Sequence, residues 1–383
     1  MNITITSGGS RRRPRALLLT AVAVASALTL AACSGGSSDS SSTSEGPGEA
    51  SAVVTDAMGP VTEIDAPADS FTPPTGKHIL IMPCSSAGQG CVDEAEEEKR
   101  VAESLGWTVD VVDGKFDPTV YNQTIKNAVA SGVDGIIAIS ADPNLYGDAM
   151  TSVVAKRVPF VLTQQTPGAN DVEGIDTYIA PDPLVGGEDV AEWLMADSAG
   201  KAHVLLLDVP GVPNVQQRTA AIAAKLKSDC ADCVVYSSDI TTATLGTSLA
   251  PLVTTQLQQH PDIDYVWGSD DATASFIQQG IQLAGKSGSV KLLSMTGLPQ
   301  QMSQIKTGQV ALELASPTPY SAWAAVDSLA RLMADQSVSK FQVVPQRIWT
   351  EANIDDAPEE IFTRGWDIEF DYRDAYHTLW GTK

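Results

Sequence analysis

The chain has 383 residues, 43% of them apolar and 19% charged, enough to bury a core spread over two or three domains. Twenty-four Lys and Arg stand against 47 Asp and Glu, a net charge of −23. That balance excludes a nucleic-acid binder, which needs a basic surface to displace counterions, and it disfavours adhesion to anionic lipid. Only 4 His are present, so neither a metal centre nor a cofactor is expected.

Arg11, Arg12, Arg13 and Arg15 precede an apolar run from Ala16 to Ala32 that ends in Leu30-Ala31-Ala32-Cys33. The run falls short of the roughly 20 residues that span a bilayer, and its charged start, apolar middle and small-residue end describe a secretory signal. The ending resembles a bacterial lipobox, which implies that residues 1–32 are removed and Cys33 is lipidated. The alternative is an uncleaved anchor helix. Residues 33–76 are rich in Ser, Gly and Pro and predict a flexible tether. The expected location is extracytoplasmic, lipid-anchored to the outer face of the cytoplasmic membrane. Apart from Cys33 the cysteines are Cys84, Cys91, Cys230 and Cys233. In an oxidising compartment the simplest pairing is Cys84–Cys91 with Cys230–Cys233. A redox role for Cys230-Ala-Asp-Cys233 needs a thiolate at a helix N-terminus, whereas this motif follows a helical stretch.

From Lys77 onward strands and helices alternate. Strands are expected at 78–82, 107–112, 135–139, 158–163, 202–207, 234–236, 265–268, 291–295 and 310–314. Helices are expected at 93–105, 118–130, 145–155, 184–196, 214–227, 249–258, 272–284 and 321–334. The strands are continuous apolar runs, as in parallel sheets covered on both faces. The fold class is therefore α/β with two doubly wound parallel-sheet lobes, whose ligand site lies beyond the strand C-termini. Gly280-Ile-Gln-Leu-Ala-Gly285-Lys286-Ser287 matches a phosphate-loop pattern, but a helix precedes it and a strand follows, the reverse of what phosphate binding needs. Gly285 reads as a helix cap instead. Gly88-Gln-Gly90 suggests a dinucleotide loop, yet Asp93 stands where the third glycine belongs. No hydrolase or paired-His motif appears.

From Lys77 to about Gln342 an ordered series of motifs resembles the type I periplasmic binding proteins, ribose/galactose-binding branch. The series is the first strand and its loop, Gly135-Ile-Ile-Ala-Ile-Ser-Ala-Asp142, Val158-Pro-Phe-Val-Leu-Thr163, Tyr178-Ile-Ala-Pro-Asp182-Pro-Leu-Val-Gly186-Gly187, Arg218, His260-Pro-Asp262, Gly268-Ser-Asp-Asp271 and Ala284-Gly285-Lys286. The ending Asp371-Tyr-Arg-Asp-Ala-Tyr376 through Trp380-Gly381 is similar to sugar-type lipoproteins of the branch. The resemblance implies two lobes joined by a three-crossing hinge: 77–181 plus 317–342 as lobe 1, and 182–316 plus 343–383 as lobe 2. It places ligand contacts at Arg218 and Asp270. It also places them where the family's residues are replaced, at Gln164, Gln165, Ser140, Thr296 and Ser316. The first loop lacks the family's stacking aromatics, so Trp267 and Tyr320 are the candidate stacking faces, with a plain core role as the alternative for Trp267.

The expected function is a monomeric, non-enzymatic solute-binding lipoprotein of an ABC importer. It would take a small polar solute, a sugar or polyol, and deliver it to a membrane permease. A ligand-sensing receptor for a membrane signalling partner is the alternative. A hydrolase or redox protein is a third class. A transcription regulator is disfavoured, because the N-terminus is a signal and not a DNA-binding helix pair.

Overall fold

The apolar strands are covered on both faces, and the side-chain alternation shows how. In His78–Met82 (β1), Ile79 and Ile81 join one core while Leu80 and Met82 join another. A strand's side chains alternate, so each face meets its own layer of helices. The structure is a computed structural model that describes residues 5–6, 52–62, 64–65, 69–168, 171–241 and 245–382. Apart from Ile5–Thr6, the expected signal segment and Cys33, the expected lipidation site, lie outside the described residues.

After a short helix α1 (Ala52–Ala57) and β1 come α2 (Gln89–Ser104), β2 (Thr108–Val111), α3 (Pro118–Ser131), β3 (Gly135–Ile139), α4 (Ala149–Lys156), β4 (Phe160–Thr163) and β5 (Thr177–Ala180). Then follow α5 (Pro183–Asp197), β6 (His203–Asp208), α6 (Pro213–Asp229), β7 (Val234–Asp239), α7 (Ala250–Gln259), β8 (Tyr265–Trp267), α8 (Asp271–Leu283), β9 (Lys291–Thr296), α9 (Pro299–Lys306) and β10 (Leu312–Ala315). The chain ends with α10 (Thr318–Met333), β11 (Phe341–Val343), β12 (Arg347–Trp349), α11 (Ile361–Arg364) and α12 (Tyr372–Trp380). Lobe 1 holds a six-stranded sheet in the order β11-β5-β4-β3-β1-β2, and lobe 2 one in the order β12-β10-β9-β8-β6-β7. All pairs are parallel except β10 with β12. Each sheet reverses its order once, between β1 and β3 and between β6 and β8, where doubly wound sheets bind ligands.

Local signals set most of the boundaries. Asp117 and Asp182 cap α3 and α5 through their carboxylates, and a proline fills the first helical position of each. The helix expected at 145–155 is divided: Pro143–Tyr146 is a 3-10 turn, and Gly147, with φ +57°, separates it from α4. Gly285 follows α8 at φ +71°, and Lys286 Nζ donates to the Pro261 carbonyl at 2.7 Å. The phosphate-loop lookalike therefore closes a helix and opens none. Both expected disulfides form, with Cα–Cα distances of 5.9 Å for Cys84–Cys91 and 5.3 Å for Cys230–Cys233. Cys230 is the C-cap of α6, the wrong end of a helix for a stabilised thiolate.

The structure corrects two expectations about layout. Where it is described, the flexible tether of 33–76 is folded. Val54 is 1% exposed against the α5–α6 layer of lobe 2, and Ile64 is 3% exposed in lobe 1. Arg347 Nε and Asn353 Nδ2 both donate to the Met58 carbonyl, at 2.9 and 3.2 Å. Further on, Arg331 Nη2 donates to the Asp69 carbonyl and stands over the Phe71 ring, and Trp107 Nε1 donates to the Pro74 carbonyl. The apolar Val54, Ile64 and Phe71, scattered through a Ser/Gly/Pro background, account for this. The second correction concerns the C-terminus, which was placed in lobe 2. Trp366 packs there, but Ile368, Tyr372, Tyr376, Leu379 and Trp380 pack in the core of lobe 1 with Trp323. Among the described residues the chain thus passes between lobes five times and not three: after β5, after β10, after β11, between Met58 and Ile64, and between Trp366 and Ile368.

Candidate functional site

The C-terminal ends of β1, β3 and β4 face those of β6, β8, β9 and β10. At this junction three residues that are not glycine carry left-handed backbone: Ser140 after β3 (φ +56°), Gln164 after β4 (φ +56°) and Thr296 ending β9 (φ +128°). Such conformations cost of order 1–3 kcal/mol each and collect at functional sites. All three were singled out as contact positions from the sequence.

The lobes touch here. Asn214 Nδ2, in the first turn of α6, donates to the Gln164 carbonyl at 2.9 Å, and Thr166 Oγ1 donates to Gln217 Oε1 at 3.4 Å. A Cβ added to Gly90 of α2 would lie 3.9 Å from Thr296 Cγ2. Within lobe 1, Gln165 Nε2 donates to the Ser140 carbonyl at 3.4 Å, and Gln164 Nε2 donates to Glu94 Oε2 at 2.9 Å. At the hinge, Gln346 Nε2 donates to Ser316 Oγ at 3.1 Å.

Arg218 is the distinctive charge. It is 3% exposed, forms no ion pair among the described residues, and leaves Nε buried without a partner there. Burial pulls its guanidinium down to about 10, while the Asp182 carboxylate at the start of α5 pulls the other way. The helix pair around it approaches closely because Gly187 has no side chain: a Cβ there would stand 2.6 Å from the Arg218 carbonyl. Asp270 does not pair with Arg218. It caps α8, accepting from Ala272 N at 2.8 Å, and receives Ser269 Oγ at 3.4 Å. Burial raises its carboxyl above the ordinary value.

Behind Thr296 sits a pair of buried acids. Asp271 accepts from Ser294 Oγ at 2.6 Å and from Leu298 N at 2.8 Å, and Glu313 accepts from Gly297 N at 2.8 Å. Together they hold the Thr296–Leu298 turn from beneath. Burial pushes Asp271 up to about 7 and Glu313 well above its usual range, so the pair holds a proton near neutrality.

The two candidate stacking rings are not open to a ligand. Trp267 is 1% exposed in the apolar cluster under α5 and α6. Tyr320 is 1% exposed and meets Tyr372 edge-on at 5.4 Å. The last position of β8 points into its lobe's core, and the first turn of α10 lies under the C-terminal segment. Sequence reasoning missed Glu94, Asn214, Thr166, Gln217 and Gln346. The last four carry no local signal, since Asn214, Thr166 and Gln217 gain these partners only where the lobes approach, and Gln346 only at the hinge. Glu94 carries none either, since it stands in the acidic run Asp93-Glu94-Ala95-Glu96-Glu97-Glu98 and only packing sets it apart. A broad depression bounded by Trp193, Phe276, Lys291 and Thr350 lies at the opposite end of lobe 2, by the first residue of β9 and away from these strand ends. Among the described residues no cluster of His, Cys, Asp and Glu suits a metal ion, and no helix is long and apolar enough to cross a membrane.

Comparison with known proteins agrees with this geometry. Residues 80–337 match the model of the periplasmic binding protein domain family. A ribose import binding protein of Bacillus subtilis is 24% identical over 255 residues, covering 66% of this chain and 80% of its own. A fructose import binding protein of Bifidobacterium longum is 22% identical over 206 residues, covering 51% and 62%. Among solved structures, an ABC transporter solute-binding protein of Agrobacterium vitis with bound D-fucose superposes with a TM-score of 0.67 at 17% identity, covering 76% of this chain and 100% of that one. Another from Agrobacterium vitis, bound with α-D-tagatopyranose, gives 0.66 at 18% identity, covering 73% and 96%. These similarities extend over both lobes and the junction between them, and the chain belongs to the periplasmic binding protein family, whose members are solute-binding proteins and not enzymes.

Proposed function

We propose that this protein is the extracytoplasmic solute-binding lipoprotein of an ABC importer, and that it holds a sugar or polyol between its lobes for delivery to a permease. The observation that carries the reading is Arg218, a buried guanidinium with no ion pair among the described residues and an unbonded Nε, in a helix that starts beyond the end of a strand where this fold binds ligands. Its donors, the acceptor Asp270, and Ser140, Gln164, Gln165, Thr296 and Ser316 form a wholly polar contact set. Hydroxyls both give and take hydrogen bonds, so they suit a wall of mixed donors and acceptors. The relatives named for ribose and fructose import, and the neighbours crystallised with D-fucose and tagatopyranose, support the same solute class. Closure of the lobes would exclude water and strengthen each bond.

A thermal-shift screen of sugars and polyols tests the reading. A true ligand at 100 times its dissociation constant adds about 2.7 kcal/mol of stability. A screen in which none shifts the melting temperature contradicts it. Lipidation of Cys33 is tested by fatty-acid labelling: Cys33→Ala is expected to lose the label, and retained label contradicts anchoring at that residue.

A further inference from the structure

Helix α2 carries three residues one turn apart, Gly90, Glu94 and Glu98, which share a face by their spacing. The first meets the other lobe at Thr296. The second, Glu94, is 1% exposed and accepts from Gln164 Nε2 through Oε2. Gln164 in turn takes Asn214 of lobe 2 on its carbonyl, so Glu94 lies one side chain away from the interlobe contact. Glu94 Oε1 is buried and forms no hydrogen bond, although the Thr163 hydroxyl stands near enough to favour the carboxylate, and both oxygens of Glu98 are likewise unbonded. Burial pushes Glu94 up to about 7, and no cation acts on either acid.

Gln164 and the Thr163 hydroxyl account for only part of this arrangement. Buried polar atoms in native proteins are almost always bonded, and an orphaned carboxylate destabilises its own fold. Glu94 caps no helix, and the first turn of α2 is fixed by the Cys84–Cys91 link. We infer that Glu94 is a further ligand-contacting residue, whose free Oε1 accepts a hydrogen bond from a hydroxyl of the bound solute. The inference rests on the solute-binding reading above and refines it. The lobe 1 wall then ends in an acceptor and the lobe 2 wall in the donor-only Arg218. The solute held between them needs a hydroxyl that donates at one end and an oxygen that accepts at the other.

The test compares wild type with Glu94→Gln and Glu94→Asp, melted alone and with D-ribose, D-fructose or D-fucose. The Gln variant can still receive Gln164, but it presents a donor where the solute-facing acceptor was. The expected result is a ligand-free melting temperature equal to or above wild type, with apparent affinity for the shifting sugar at least tenfold weaker in both variants. Wild-type affinity in Glu94→Gln overturns the inference. So does a clear loss of ligand-free stability in that variant, which makes the acid a structural partner of Gln164. If no sugar shifts wild type, the solute-class reading fails, and the ligand-free comparison still decides whether Glu94 serves the fold.

Discussion

Arg218, Glu94, Glu98, Asp271 and Glu313 are buried ionisable groups that an ordinary core would replace with apolar ones, and four of the five are acids. The acids fix how stability responds to pH. Folding raises the proton affinity of Glu94, Glu98, Asp271 and Glu313, chiefly through burial. Between about pH 4.5 and 7 the native state therefore holds protons that the unfolded chain releases. Their contribution is complete below that window and is lost as pH rises through about 7. Asp113, lowered by the Ser86 hydroxyl, acts in the opposite sense, but only at the acid end of the scale. The ligand-free protein is expected to melt lower at pH 8 than at pH 5, and Glu98→Gln is expected to flatten that slope. Melting curves across this range check it, and a temperature that is level or rises with pH contradicts it. At this scale the sequence was only partly legible. Arg218 and Asp270 stood out because their positions match a familiar motif. Glu94 did not, because burial and a missing partner are properties of the packed state.

Most elements could be read from Asp–Pro helix starts, glycine helix ends and unbroken apolar strands, since those signals are local. The Ser/Gly/Pro segment misled, because composition hides a few well-placed apolar residues. The described parts of residues 52–76 reach both lobes as a strap, and the anchor in lobe 1 is an ion pair. Arg331 and Asp327 are 2% and 0% exposed and meet at 2.8 Å, with Trp380 Nε1 donating to Asp327 and Arg331 reaching Asp69. This cluster joins α10, α12 and the strap. Arg331→Ala leaves Asp327 buried and uncompensated, and is expected to cost about 3–5 kcal/mol. Denaturant unfolding measures it, and a loss below about 1 kcal/mol contradicts the role. Deleting residues 34–76 removes the burial of Val54 and Ile64, each worth about 1.5–3 kcal/mol, and the partial burial of Phe71. Unchanged melting of the truncated chain returns the segment to a plain tether.

As a whole, the described residues form two similar lobes joined by five chain crossings, with direct bonds across the junction at Asn214–Gln164 and Thr166–Gln217. The two-lobe plan was legible from repeated strand–helix alternation. The extra crossings were not, because nothing local in residues 361–380 says which lobe they cover. Gly90 stands where the lobes meet, so Gly90→Leu is expected to prop them apart while keeping α2 intact, since leucine favours helix over glycine. In solution scattering, wild type with a bound sugar should contract and the variant should not; equal contraction in both places the closing surface elsewhere. The central claim is that a polar solute lies in this junction against Arg218. Calorimetric titration of wild type and Arg218→Ala with the sugar that gives the largest thermal shift tests it most directly. The predicted result is affinity weakened by roughly 2–4 kcal/mol, because the solute oxygens it served are left unpaired, with ligand-free stability unchanged or raised; equal affinity in the two proteins would contradict the account.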